Sequence, residues 1–273
     1  MMKNLLKGCW GLIFWALIAA PVYADGSSQS GGETAFTAQE ITTFAKKVEK
    51  TLASKGAYVA ILARMGRPAA DMPEGMHYTH VAFAVYSQIT TGDGRKVPGY
   101  AIYNLYQNND QPDVSTLVQD FPVDFFGGVA VLEAGVLIPS IELQKRLLEV
   151  IRAPTYKDLH DPHYSLIANP YTLGRQNCTE HTLDVINAAI YETSDIKVIK
   201  ANEKAYFKAQ RVNVNPVKLF FGSMFSAQIT TVDQPTSTPE TATFETIVQY
   251  LQKYDQGAEV MTIVPDANQP AVQ

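Results

Sequence analysis

The first 24 residues decide which part of the chain has to fold. Two lysines precede an apolar run at 10–20, and Val22-Tyr23-Ala24 presents small residues at the two positions that a signal peptidase reads. Because this run is shorter than the roughly 20 residues that span a bilayer, cleavage after Ala24 is favoured over a retained anchor. We therefore expect a secreted or periplasmic protein that begins at Asp25 and has no stable membrane span after cleavage.

Loss of this segment would leave Cys178 as the only cysteine. Cys9 precedes the apolar run, whereas a lipidated cysteine would follow it, so Cys9 leaves with the signal. A secreted chain without a disulfide must be held together by its hydrophobic core, and a chain of this length can bury one. A lone thiol in an oxidising compartment is buried and inert, paired between chains, or kept because its chemistry is used.

Charge excludes one class of function. The full chain carries a net charge of −5, and 20 basic against 27 acidic residues remain once the two signal lysines are lost, a net charge of −7. General binding to nucleic acid needs a concentrated basic surface, and no run of Lys or Arg is present. We therefore expect no nucleic-acid partner.

Residue patterning predicts one α+β domain at 37–265, preceded by a Gly/Ser-rich flexible leader at 25–36 and followed by a tail at 266–273. A Gly-Asp-Gly loop joins two of the strand patterns, which indicates an antiparallel meander. The region 154–176 lacks periodicity and is predicted to be a surface loop. Predicted helices lie at 37–54, 141–151, 178–190, 217–225 and 244–253; predicted strands lie at 58–63, 78–86, 100–107, 129–138, 227–232 and 260–264.

Cys178 is the first candidate for chemistry. It stands at the start of a predicted helix that Asn177 or Thr179 can cap. Free N–H groups and the helix dipole at such a position stabilise a thiolate, and the same N–H groups can donate to an oxyanion. The competing interpretation is that Cys178 is a small buried hydrophobic residue.

His80 and Asn104 are the candidate partners of Cys178. A nucleophilic cysteine needs a base within hydrogen-bond reach and a polar group that orients the base. His80 and Asn104 each interrupt an apolar strand pattern, where a polar side chain is costly unless it is paired. Two such residues on adjacent strands that face a helix-start cysteine would form a Cys-His-Asn site; the alternative for His80 is a satisfied core histidine.

These residues carry a resemblance. A strand histidine followed about a hundred residues later by a helix-start cysteine resembles the order in circularly permuted papain-like enzymes of the NlpC type. The chain is also similar to a family of secreted bacterial proteins of unknown function. That second likeness rests on three segments: Arg64-Met65-Gly66-Arg67, Tyr78-Thr79-His80-Val81-Ala82-Phe83-Ala84 and Arg175-Gln176-Asn177-Cys178.

The resemblance implies a permuted papain-like fold with an antiparallel sheet packed against helices. Cys178 would be the nucleophile, His80 the general base and Asn104 the group that orients the imidazole. The implied activity is hydrolysis or acyl transfer at amide or ester bonds, with peptidoglycan peptides or lipid esters as substrates and no cofactor. The alternative is a non-catalytic periplasmic ligand-binding or structural protein that presents a surface of Tyr156, Tyr164 and Tyr171.

Other polar groupings predict no site. His77-x-x-His80 and Asp158-x-His160-Asp161-x-His163 resemble metal-ligand spacings. A zinc site needs three or four converging ligands, and neither grouping has a further partner in the sequence, so we expect no metal. His181 is predicted to lie on the surface.

Overall fold

The structure is a computed structural model that describes residues 36–67, 72, 74–108, 110–212 and 231–266. The predicted signal peptide, nearly all of the predicted leader and tail, and the predicted helix at 217–225 lie outside these residues, as does 227–230 of a predicted strand. Residues 231 and 232 of that strand are described and are not in a strand.

A six-stranded antiparallel sheet is the centre of the described α+β fold. Its strand order is β4-β3-β2-β1-β5-β8, and β6 and β7 form a separate two-stranded ribbon. The strands are β1 (Val59–Met65), β2 (His80–Thr90), β3 (Lys96–Gln107), β4 (Ser115–Asp120), β5 (Val131–Ile138), β6 (Gln210–Arg211), β7 (Glu240–Thr241) and β8 (Glu259–Ile263).

Seven helices are seen in the described part of the chain, and the longer ones cover both faces of the sheet. Alternating side chains of β1, β2, β3 and β5 enter two separate apolar clusters, one with α1 and α2, the other with α3, α5 and α7. The helices are α1 (Ala38–Ser54), α2 (Pro122–Phe125), α3 (Ile141–Arg152), α4 (Thr155–Asp158), α5 (Cys178–Tyr191), α6 (Ile196–Tyr206) and α7 (Phe244–Tyr254).

Local sequence explains why most of these elements begin where they do. Thr37 and Glu40 form a capping box at the start of α1, and Asn177 caps α5 by accepting the N–H of Glu180 at 2.9 Å. Gly94, with a φ of +83°, closes the loop between β2 and β3 in a conformation that favours glycine. Strands β1, β2 and β3 pair antiparallel in sequence order, so the predicted meander is confirmed.

Several parts of the fold differ from the prediction, among them β4, α6 and the region 154–176. Strand β4 and helix α6 were not predicted. Each exposes much of its surface and packs along a narrow strip, so its apolar periodicity is weak. The region 154–176 is not a surface loop: it contains α4, and many of its side chains are buried. Its polar side chains bond to neighbouring segments, which compensates for their burial.

In the described part of the chain, no helix has both the length and the apolar character needed to cross a bilayer.

Candidate active site

His80 and Asn104 are joined directly. His80 is the first residue of β2 and Asn104 lies in β3, and both are fully buried. Nε2 of His80 lies 3.0 Å from Oδ1 of Asn104, so the ring donates its Nε2 proton to the amide oxygen. The amide of Asn104 in turn donates to Oδ1 of Asp120 at 2.7 Å. Because Nε2 carries the proton in this series of hydrogen bonds, the lone pair of the neutral imidazole is on Nδ1.

Asp120 at the end of β4 also holds the face of the imidazole. Tyr106 stacks on His80, with ring centroids 5.0 Å apart and planes 18° from parallel. The hydroxyl of Tyr106 donates to Oδ2 of Asp120 at 2.8 Å. The carboxylate of Asp120 therefore positions both Asn104, which bonds to the edge of the imidazole, and Tyr106, which covers its face.

A buried arginine lies beside this histidine. The Arg64 guanidinium lies 5.1 Å from the ring centre of Phe125 and 5.8 Å from that of Tyr106, and it donates to the carbonyl of Phe125. Burial first, and then the charge of Arg64, lower the pKa of His80 well below its ordinary value. His80 is therefore neutral at pH 7, the form that accepts a proton.

Cys178 is a free, buried thiol at the start of α5. It packs against Leu105 and Tyr164. Burial raises the pKa of the thiol, while the backbone N–H groups of Val81 and Thr179 bond to the sulfur and oppose that rise. The sulfur therefore lies beside the N–H of the residue that follows His80.

The thiol and the imidazole reach this end of β2 from different sides. His80 shares its face of the sheet with Ala82 and Ala84, which pack with α1, whereas Cys178 approaches from the α5 side. Among the residues that the structure describes, Nδ1 of His80 has no hydrogen-bond partner, so no hydrogen bond joins it to the sulfur of Cys178. The structure thus brings His80 to Asn104, and Cys178 to the backbone of Val81.

Residues 51–251 match a family described as "Uncharacterized protein conserved in bacteria (DUF2145)". The chain belongs to this family. The match includes Arg64, His80, Asn104 and Cys178, and it confirms the expected membership of a bacterial family of unknown function. The chain matches no curated protein and no solved structure.

Three side chains of this DUF2145 protein that contact the His80 site were not predicted as members of it. Arg64 belongs to the Arg-x-Gly-Arg segment on which the family likeness rests, but the sequence indicated no role for this arginine. Tyr106 follows Asn104 by two residues, which places both on one face of β3. Asp120 had no signal, because β4 was not predicted.

Two predictions about exposed residues are wrong. His181 is buried, with 2% of its surface exposed, since α5 is enclosed on nearly all sides. Burial is also the main cause that lowers the pKa of His181 to about 3. Tyr156 and Tyr164 are buried too, so they cannot form the aromatic surface expected of a ligand-binding protein.

The environment of Asp120 predicts a pH dependence of the folding stability of this DUF2145 protein. Burial raises the pKa of Asp120 to about 6 from an ordinary 3.8, so the folded state holds this proton more tightly than the unfolded state. Below pH ~4, the protonated Asp120 contributes up to ~3 kcal/mol to the free energy of unfolding. This contribution is lost as the pH rises to about 6.

We expect the Asp120→Asn variant to lose this decline between pH 4 and 6, whatever its absolute stability. Urea unfolding at several pH values measures this decline, with Asp110→Asn, which changes an exposed side chain, as the matched control. The same pH slope in Asp120→Asn and the parent protein would contradict the assignment.

Proposed function

We propose that this DUF2145 protein is a secreted or periplasmic thiol hydrolase or acyltransferase, built on a permuted papain-like fold of the NlpC type. One observation carries the proposal. The buried imidazole of His80 donates through Nε2 to Asn104, and its Nδ1 lacks a hydrogen-bond partner among the described residues. The backbone N–H of Val81, the residue after His80, bonds to the sulfur of Cys178 at the start of α5. A cysteine hydrolase needs a thiol, a base and a group that orients the base.

In the proposed mechanism, Nδ1 of His80 takes the proton of Cys178, and the sulfur attacks the carbonyl carbon of an amide or ester. The imidazolium then gives its proton to the leaving amine or alcohol as the C–N or C–O bond breaks. Water, deprotonated by His80, attacks the thioester and releases the acid and the thiol. An alcohol or amine in place of water gives acyl transfer instead.

Two features of the site support individual steps. The backbone N–H groups of Cys178 and Thr179, at the start of α5, lie beside the sulfur and can donate to the oxyanion of the tetrahedral intermediate. Asn104 and Asp120 hold the ring so that its basic nitrogen is Nδ1. Since hydrogen bonds between catalytic groups often form only with substrate bound, the bond between Nδ1 and the sulfur is assigned to the substrate complex.

In the resting protein both the thiol of Cys178 and the imidazole of His80 are neutral. Burial raises the pKa of Cys178 and lowers that of His80, so both shifts disfavour a thiolate–imidazolium ion pair. Proton transfer then accompanies attack on the substrate. This resting state distinguishes the proposal from one in which a thiolate is always present.

Cell-wall peptides are the proposed substrate class. The expected location outside the cytoplasm and the resemblance to NlpC-type enzymes both favour amide bonds in peptidoglycan peptides over lipid esters. The competing proposal is a non-catalytic binding protein on the same fold. Its specific support is the absence, among the described residues, of a hydrogen bond between His80 and Cys178.

Alkylation of Cys178 by iodoacetamide tests whether His80 acts on the thiol. We expect His80→Ala to slow alkylation at pH 7 by about tenfold or more, because the base that takes the thiol proton is lost. His163→Ala is the matched control, since the side chain of His163 is exposed and pairs with Asp161 rather than with either group. Mass spectrometry follows the rate, and circular dichroism verifies that both variants are folded. Equal rates in the three proteins would favour the non-catalytic alternative.

A further inference from the structure

Strand β4 forms one edge of the six-stranded sheet, and another part of the chain covers the beginning of its outer side. The N–H of Ser115 donates to the carbonyl of Pro162 at 2.8 Å, and the N–H of Tyr164 donates to the carbonyl of Asp113 at 2.7 Å. The segment 162–164 is thus paired with the start of β4. Because proline has no N–H, Pro162 cannot continue this pairing beyond Ser115.

Two later residues of β4 direct their backbone groups away from the sheet. Residues of an antiparallel strand bond alternately toward and away from the neighbouring strand. Val114 accepts the N–H of Asn108 at 2.8 Å on the side of β3. The next residue, Ser115, faces outward, and so do Leu117 and Gln119. In the part of the chain that the structure describes, the N–H and C=O of Leu117 and Gln119 have no hydrogen-bond partner.

This open edge lacks the features that usually protect an edge strand. Natural edge strands avoid pairing with other chains by carrying charges, proline or a bulge. Residues 115–119 read Ser-Thr-Leu-Val-Gln, without charge or proline, and their register with β3 has no bulge. Apolar side chains border the edge: Val118 is 38% exposed, Phe121 is 40% exposed and Val123 is 38% exposed. Unpaired backbone groups therefore lie beside an apolar surface.

We propose that the open edge of β4 binds a short peptide in the extended conformation, which adds to the sheet as a further strand. The N–H and C=O groups of Leu117 and Gln119 bond to the backbone of the peptide. The peptide residue opposite Val118 lies beside that exposed side chain, so an apolar residue is favoured at this position. The main chain gives the affinity, and Val118 gives the preference for a side chain.

The segment 162–164 favours a short peptide over a long strand. Pro162 occupies the position opposite Ser115, so an added strand has to end or turn before it. A second copy of β4, related by a two-fold axis at Val118, would extend into that position. A short peptide meets no such obstacle.

The open edge adjoins the proposed active site. Leu117 packs against the apolar group of Leu105, Tyr164 and Cys178. The inference therefore deepens the proposed function, on which it rests only for the fate of the peptide: a peptide at this edge is next to the side chains that surround the thiol. Binding itself uses backbone groups of β4 and does not need Cys178.

NMR titration of the folded, isotope-labelled protein with the blocked peptide acetyl-Thr-Val-Thr-Val-Thr-amide tests the proposal. We expect the backbone amide signals of Leu117 and Gln119 to shift as the peptide is added, because both N–H groups gain an acceptor. An analogue with a methyl group on every backbone nitrogen cannot donate hydrogen bonds and should leave both signals unchanged. This comparison needs no variant, so it holds even where a substitution in β4 prevents folding.

Gln119→Pro and Gln119→Ala form a matched pair of variants. Proline removes the outward N–H but leaves the bonds between β3 and β4, because that N–H is not used there. We expect Gln119→Pro to weaken peptide binding by about fivefold or more, the effect of losing one hydrogen bond. Gln119→Ala loses the side chain and keeps the N–H, so it should bind as the parent protein does. Circular dichroism verifies that both variants are folded.

Three results would overturn the proposal: unchanged amide signals with the unmethylated peptide, equal binding of the methylated analogue, or equal affinity in folded Gln119→Pro and Gln119→Ala. Cys178→Ser should retain peptide binding. A parent protein that binds the peptide at this edge but hydrolyses no amide or ester would contradict the proposed function and leave the peptide site standing.

Discussion

Replacing Lys200 with methionine is expected to lower the free energy of unfolding by about 3–5 kcal/mol at pH 7, because it leaves buried carboxylates without their cation. Lys200 bonds to Glu180, Asp184 and Glu203, each at most 1% exposed. Methionine retains most of the volume of the lysine side chain, so the loss reports charge rather than packing. Urea unfolding followed by circular dichroism measures it.

The pH dependence of this loss follows from the direction of the pKa shifts. Burial raises the pKa of Glu180 and of Glu203 well above the ordinary value, so both hold protons more tightly when the protein is folded. Groups with raised folded pKa values destabilise the protein as the pH rises above the ordinary carboxyl pKa of about 4.5. Removing Lys200 raises both pKa values further, so the variant should be least affected near pH 4 and most affected at and above neutral pH.

Lys197→Met is the matched control for this experiment. Lys197 lies on the same helix, α6, but is exposed. Its replacement should change the free energy of unfolding by no more than about 0.5 kcal/mol. Similar losses in the two variants, or a loss in Lys200→Met that does not vary with pH, would show that the ion pairs of Lys200 do not hold α5 and α6 together.

Cys178→Ala is expected to lower kcat/KM by about 10³-fold or more for any amide or ester that the protein hydrolyses, because no acyl-enzyme can form. p-Nitrophenyl acetate and short cell-wall peptides that contain D-amino acids serve as probes. His80→Ala should cost nearly as much, since nucleophile and base act as a unit. Asn104→Ala should cost less, because the role proposed for Asn104 is only to orient the ring of His80.

Mass spectrometry of the stopped reaction provides an independent measurement. We expect an acyl adduct on Cys178 in the parent protein and none in Cys178→Ala. His163→Ala should retain the parent rate, because that exposed side chain lies outside the site. Hydrolysis that survives in Cys178→Ala at the parent rate, or a parent protein that forms no adduct with these probes, would argue against thiol catalysis.

Local sequence was sufficient to predict elements whose cause lies within a few residues. The start of α1 follows from Thr37 and Glu40, and the start of α5 follows from its cap residue. The β2–β3 hairpin follows from its glycine-containing loop. His80 and Asn104 were selected because each is a polar residue within an apolar strand pattern, and Cys178 because it is the lone cysteine at a predicted helix start; all three prove to be buried.

The sequence could not show how these side chains pair, because pairing depends on strand order and on helix contacts far along the chain. The bond from Asn104 to Asp120 exists because β4 lies beside β3, and β4 carries little apolar signal. His181 was predicted to be exposed because the sequence around it does not reveal that α5 is enclosed on nearly all sides.

By itself, then, the sequence determined that a cysteine stands at a helix start and that polar groups interrupt two strands, since propensity and periodicity are local properties. The tertiary structure decided that His80 and Cys178 approach one strand end from different faces. It also decided that Lys200 lies among three carboxylates from two helices. Both arrangements arise from packing between segments distant in the chain, which no local pattern encodes.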